Sequence, residues 1–128
     1  MSEVRVLIVE DEPLIAEDIA TALANNDFNV SGIAYSMEDA LDELKRNLPD
    51  LVLLDINLNG GEEGIEIAHE INARYSLPFV FLTSYSDKIT LLHAKNTEPA
   101  GYVVKPFTDA GLYATLEIAL FNHTQKNK

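Results

Sequence analysis

Apolar residues along this chain follow two habits. Short runs rich in Val, Ile, Leu or Phe occupy 4–9, 29–34, 51–54, 79–82 and 101–104. Between and after them, apolar residues recur every three or four positions over 13–25, 37–47, 64–75, 88–96 and 109–123. The runs have strand length, and several are apolar at consecutive positions, as parallel strands covered on both faces require. The periodic segments predict helices with one buried stripe. Local chemistry agrees with these boundaries: Pro13 suits a first helical turn, Ser36 can cap the second helix with Asp39 three residues on, and Asn47 before Leu48-Pro49 ends it. Five βα units in succession predict a single domain over 1–123, with 124–128 as a frayed tail.

Parallel strands joined by right-handed crossovers wind helices onto both sides of their sheet. The expected fold class is therefore α/β, a doubly wound five-stranded parallel sheet in the order 2-1-3-4-5. Ligands in such folds bind at the carboxyl ends of the strands, where the strand order reverses.

Composition narrows the function classes. With 128 residues, 47% of them hydrophobic, the chain is long enough for one layered core and too apolar to be disordered. A formal net charge of −12 argues against direct nucleic-acid binding, which draws on clustered Lys and Arg. Most of the acids read as a solvated surface. The absence of Cys excludes disulfides and thiolate metal sites and fits a reducing cytoplasm. Residues 1–10 lack a signal-peptide pattern, and no apolar stretch approaches the roughly twenty residues that span a bilayer, so a soluble, cytoplasmic protein without a membrane partner is expected.

The candidate chemistry stands at the strand ends. The first strand runs into Glu10-Asp11-Glu12, the third into Asp55, the fourth into Thr83-Ser84 and the fifth into Lys105-Pro106. Taken singly, Glu10 and Glu12 read as solvated acids opening a helix, and Asp55 as a loop cap. Together they read otherwise. Glu10, Asp11 and Asp55 would repel one another unless a cation joined them, and three hard oxygen donors suit Mg²⁺, which takes one or two carboxylates, waters and a phosphate oxygen. Zinc lacks its Cys or clustered His ligands here. A Thr hydroxyl and a Lys ammonium beside them can donate to phosphoryl oxygens, so Asp55 is the candidate nucleophile of a phosphoryl transfer, with Thr83 and Lys105 as its catalytic partners.

Four segments then carry a resemblance: Val6-Leu7-Ile8-Val9-Glu10-Asp11-Glu12, Leu53-Leu54-Asp55-Ile56-Asn57-Leu58, Phe81-Leu82-Thr83-Ser84 and Gly101-Tyr102-Val103-Val104-Lys105-Pro106-Phe107. In this order on five βα units they resemble the receiver domains of two-component response regulators, across nearly the whole chain. The resemblance implies a signalling switch of chemotaxis-regulator type that catalyses only its own phosphorylation and dephosphorylation. Asp55 would take the phosphoryl group from the phosphohistidine of a sensor histidine kinase or phosphotransfer protein. Glu10, Asp11, Asp55 and the backbone carbonyl of Asn57 would assist Mg²⁺, and Thr83 and Lys105 would hold the new oxygens. Thr83 and Tyr102 would form the switch, the aromatic ring turning inward behind the Thr, and Lys105-Pro106 would be a cis bond. Two departures stand out. Glu10 replaces the usual Asp, its longer arm suiting a water-mediated metal contact, and the loop Leu58-Asn59-Gly60-Gly61-Glu62-Glu63-Gly64 is longer than in many members, which leaves its geometry open.

Other classes fit less well. A haloacid-dehalogenase-like phosphatase needs a second Asp where Asn57 stands, and a flavodoxin needs a Ser, Thr and Gly phosphate loop where Glu10-Asp11-Glu12 would repel the flavin phosphate. The remaining alternative is a receiver-like scaffold that binds a partner without being phosphorylated. His69, His93 and His123 lie in separate helical segments and read as surface residues, not as a phosphohistidine relay. On the last helix, Leu112, Leu116, Ala119 and Leu120 share the inward arc, leaving Ile118 and Phe121 outward as candidates for a partner surface or for a homodimer formed on phosphorylation.

Overall fold

The protein is described by a computed structural model over residues 4–84 and 88–126. Its five strands are β1 (Arg5–Val9), β2 (Asn29–Ala34), β3 (Leu51–Asp55), β4 (Phe79–Thr83) and β5 (Gly101–Val104). Five helices alternate with them: α1 (Pro13–Asn25), α2 (Met37–Arg46), α3 (Glu63–Arg74), α4 (Lys88–Lys95) and α5 (Asp109–Lys126). All pairings are parallel, and the order is β2-β1-β3-β4-β5, as expected from the alternation.

Because strand side chains alternate across a sheet, each central strand feeds two cores. Val6, Ile8, Leu51, Leu53, Val80 and Leu82 point to the face covered by Ile19 and Leu23 of α1 and Leu112, Leu116 and Ala119 of α5. Leu7, Val9, Val52, Leu54, Phe79 and Phe81 point to the opposite face, under Leu44 of α2 and Ile67 and Ile71 of α3. This is why the strands read as continuous apolar runs. Helix α2 starts where its cap predicts, the Asp39 amide donating to Ser36 Oγ at 3.1 Å.

Several boundaries differ from the expectation, most of them by one residue, and the differences around the strand ends and in α5 have identifiable reasons. β3 and β4 each run one residue further, taking in the polar Asp55 and Thr83, because the ladder continues through Asp55 opposite Leu82 and Thr83 opposite Val104. A short 3₁₀ turn, Leu58–Gly60, occupies the long loop after β3, with Asn59 and Gly60 both at positive φ and Leu58 fully buried. Finally, α5 does not end at His123 but continues through Thr124 and Gln125 to Lys126, so three residues expected to fray are helical; Asn127 and Lys128 lie outside the described residues.

The two sides of α5 should respond differently to truncation. Leu116→Ala, in the core, is expected to cost about 2–4 kcal/mol, whereas Ile118→Ala, on the outer side, should change stability by less than roughly 0.5 kcal/mol. Urea unfolding monitored by circular dichroism distinguishes them, and equal losses would mean that the helix face is misassigned.

Candidate functional site

Strand register gathers the acids. Val9 pairs with Leu54, so the chain leaves β1 at Glu10 beside Asp55 at the end of β3, the point where the strand order reverses. The backbones there are tied down: the Glu10 amide donates to the Ala34 carbonyl at 3.0 Å, the Ile56 amide to Leu82 at 3.0 Å and the Lys105 amide to Thr83 at 2.7 Å. Carboxylate oxygens of Glu10, Asp11 and Asp55 consequently lie within 4.8 Å of one another. Three hard oxygen donors at that separation fit the first coordination sphere, or the water shell, of Mg²⁺.

Glu10 is completely buried, which excludes its reading as a solvated helix-opening acid. One of its oxygens accepts from Lys105 Nζ at 2.8 Å and the other from the Glu12 amide at 3.1 Å. Glu12 itself is exposed. Lys105 Nζ also stands 3.6 Å from Asp55 Oδ2, while Asp55 Oδ1 accepts from the Asn57 amide at 3.1 Å. The Asn57 carbonyl accepts from the Gly60 amide at 2.8 Å. Thr83 is buried at the end of β4. One strand over, the Tyr102 ring packs 6.1 Å from Phe81 and remains 38% exposed. The Lys105-Pro106 bond is cis.

These contacts set the electrostatics. Burial, followed by the negative charge of Glu10, pushes the Asp55 carboxyl up from 3.8 to about 6, against the opposing pull of Lys105 and the Asn57 amide; Asp11 adds to the rise. Burial draws the Lys105 ammonium down, but its hydrogen bond to Glu10 and the charges of Asp55, Glu10 and Glu12 outweigh this and raise it overall. Lys105 therefore stays cationic at neutral pH.

Other features were not anticipated from sequence. A Cβ placed on Gly64 would stand 2.0 Å from the Asp55 carbonyl oxygen, so only glycine lets α3 begin against the backbone of that residue. The one signal available was a glycine at the start of a helical pattern. His93 Nδ1 meets both carboxylate oxygens of Glu62, at 3.0 and 3.1 Å, joining α4 to the residue that precedes α3. His69 and His93 are exposed as expected, while His123 is partly covered. Ile118 and Phe121 are 59% and 62% exposed. Ile89 and Leu92 on α4 and Val104 on β5 are exposed as well, and periodicity had not singled them out.

The raised Asp55 carboxyl predicts a pH signature in the metal-free protein. Folding favours its protonated form, so this contribution is fully present below pH 4 and is lost as pH rises through about 6. Asp55→Asn should therefore gain stability over wild type by on the order of 2–3 kcal/mol between pH 4 and pH 7 in chelator. Urea unfolding at the two pH values tests this, and a pH-independent difference would contradict it.

Known proteins resemble this chain in sequence and in fold. Residues 6–117 match the family described as the response regulator receiver domain. The phyllosphere-induced regulator PhyR of Methylorubrum extorquens is 35% identical over 119 residues, covering 91% of this chain and 43% of that protein. The transcriptional regulatory protein PdtaR of Mycobacterium tuberculosis is 34% identical over 116 residues, covering 91% of this chain and 56% of its own. This chain thus spans about half the length of these relatives. Among solved structures, the signal receiver domain of a modulated diguanylate cyclase from Desulfovibrio desulfuricans superposes with a TM-score of 0.91 at 33% identity, over 98% of this chain and 99% of that one. With the fold, the motif order and the family match in agreement, the chain belongs to the response regulator receiver domain family.

Proposed function

We propose that this receiver domain acts in the cytoplasm and is switched by transfer of a phosphoryl group to Asp55 from the phosphohistidine of a sensor histidine kinase or phosphotransfer protein. The observation that carries this reading is the gathering of Glu10, Asp11 and Asp55 within 4.8 Å, with Lys105 beside two of them. Asp55 Oδ1 is engaged by the Asn57 amide, which leaves Oδ2 to attack phosphorus. The P–N bond of the donor breaks, and its electron pair leaves with the imidazole. Asp11, Asp55 and the Asn57 carbonyl would hold Mg²⁺, with Glu10 contributing through water. The ion would supply charge neutralisation at the phosphoryl oxygens. Lys105 turns from Glu10 to a phosphoryl oxygen, and the Thr83 hydroxyl donates to another.

The new group adds a charge of about −1.5 to −2 where a carboxylate stood. Movement of Thr83 toward it frees the space behind, into which Tyr102 turns from its half-exposed position against Phe81. The outward residues near that strand, Ile118 and Phe121, then serve a homodimer or a downstream partner, and the exposed Ile89, Leu92 and Val104 extend the same role to α4 and β5. No helix among the described residues is long and apolar enough to cross a membrane.

Intact mass after incubation with Mg²⁺ and acetyl phosphate should show one phosphoryl gain, lost in Asp55→Asn and in chelator. Lys105→Ala should still be labelled but respond less in conformation. A folded protein that gains no mass and binds no Mg²⁺ would overturn the reading in favour of a phosphorylation-independent scaffold. For the surface, Ile118→Asp should weaken any association that follows phosphorylation, measured by sedimentation velocity. Unchanged association in both the phosphorylated and unphosphorylated states would remove Ile118 from the interface.

A further inference from the structure

Away from the acid cluster, α3 and α4 enclose a groove of about 240 Å³ lined by Glu62, Ile65, Glu66, His69, His93 and Asn96. Its donors differ in kind from those at the strand ends: two imidazoles and two carboxylates instead of carboxylates alone. Glu62 touches His93 through Nδ1 with both oxygens, at 3.0 and 3.1 Å. A neutral ring in that contact carries its proton on Nδ1 and its lone pair on Nε2. A carboxylate behind the distal nitrogen is the outer contact that orients metal-bound histidines. On the facing helix, Glu66 and His69 stand three residues apart and so share a face. This Glu-x-x-His spacing also supplies ligands to first-row metals between the helices of bundles.

We propose that this groove binds a divalent first-row transition-metal ion, with His93 Nε2, His69 and Glu66 as ligands and Glu62 orienting His93. Imidazole donors favour zinc over magnesium, so the ion differs from the one suited to the oxygen-only strand-end cluster. Among the described residues, the strand-end acids are the group already gathered within 4.8 Å. The groove closes on its ion by rotation of the exposed Glu66 and His69 side chains. A bound ion would cross-link α3, which begins against Asp55, to α4, adding a second input to the position of that helix. The inference rests on the groove alone and does not depend on phosphorylation of Asp55.

The test is zinc chloride titration of the full chain in excess Mg²⁺, which occupies the strand-end acids, read by chelator competition and by histidine side-chain NMR. One equivalent should bind, shifting the His69 and His93 ring signals and leaving those of His123. His93→Ala and His69→Ala should each weaken binding at least tenfold, and Glu62→Gln by roughly 10-fold, with His123→Ala as wild type. All these positions are on the surface or partly covered, and backbone NMR of each variant confirms its fold. Zinc binding that survives loss of both groove histidines, or that disappears in Asp55→Asn, would place the ion elsewhere and overturn the proposal. So would a folded wild-type protein that binds no zinc.

Discussion

Mutual repulsion among Glu10, Asp11 and Asp55 is the constraint around which this end of the molecule is built. Two unit charges about 5 Å apart repel by roughly 3 kcal/mol at an effective dielectric of 20. Left uncompensated, the three such pairs would consume much of the roughly 5–15 kcal/mol that typically separates folded from unfolded domains. The fold sustains the cluster because the apolar layers on the two faces of the sheet hold the strand ends in place, and because Lys105 sits against Glu10 at 2.8 Å. Burial first, and the charge of Glu10 second, appear as the raised Asp55 carboxyl. The site is thus a local cost carried by the cores, and a cation or a proton relieves it.

The same register that gathers the acids connects them to the rest of the domain. Asp55 is the last residue of β3 and pairs with Leu82, which is followed by Thr83, and Thr83 in turn is tied to Lys105 through the backbone. Glycine at position 64 lets α3 start directly against Asp55. On the other side, Phe81 lies beneath Tyr102, the half-exposed aromatic of the edge strand. A change of charge at Asp55 is therefore one strand from Thr83 and two from the β5 edge, while α4 is linked to the loop after β3 by Glu62 and His93. Short mechanical distance of this kind is what a switch in the proposed sense needs, since packed interiors pass displacement to their neighbours.

Much of this was legible in the amino-acid sequence, for reasons that can be named. Every strand and helix was located by local periodicity, because a strand covered on both faces must be apolar throughout and a helix on its surface needs only a stripe. Ser36 capped α2 as its spacing required, and Leu112, Leu116 and Ala119 were inward on α5. The candidate residues Glu10, Asp11, Asp55, Thr83 and Lys105 could be named because doubly wound folds bring strand ends together. The length of α5 was not legible, since the polar residues Thr124 and Gln125 carry no apolar signal yet continue its hydrogen bonding.

The order and type of the elements, and the set of residues at the carboxyl edge, were determined by the sequence itself, because they follow from hydrophobic period and turn chemistry within a few residues. Tertiary structure alone decided that Glu10 is fully buried and committed to Lys105 while Glu12 remains in solvent, that Gly64 abuts the Asp55 carbonyl, and that His93 meets Glu62. Each of these depends on the register and packing of segments far apart along the chain. No local pattern encodes which of two neighbouring acids will find a cation at the end of a strand three places away.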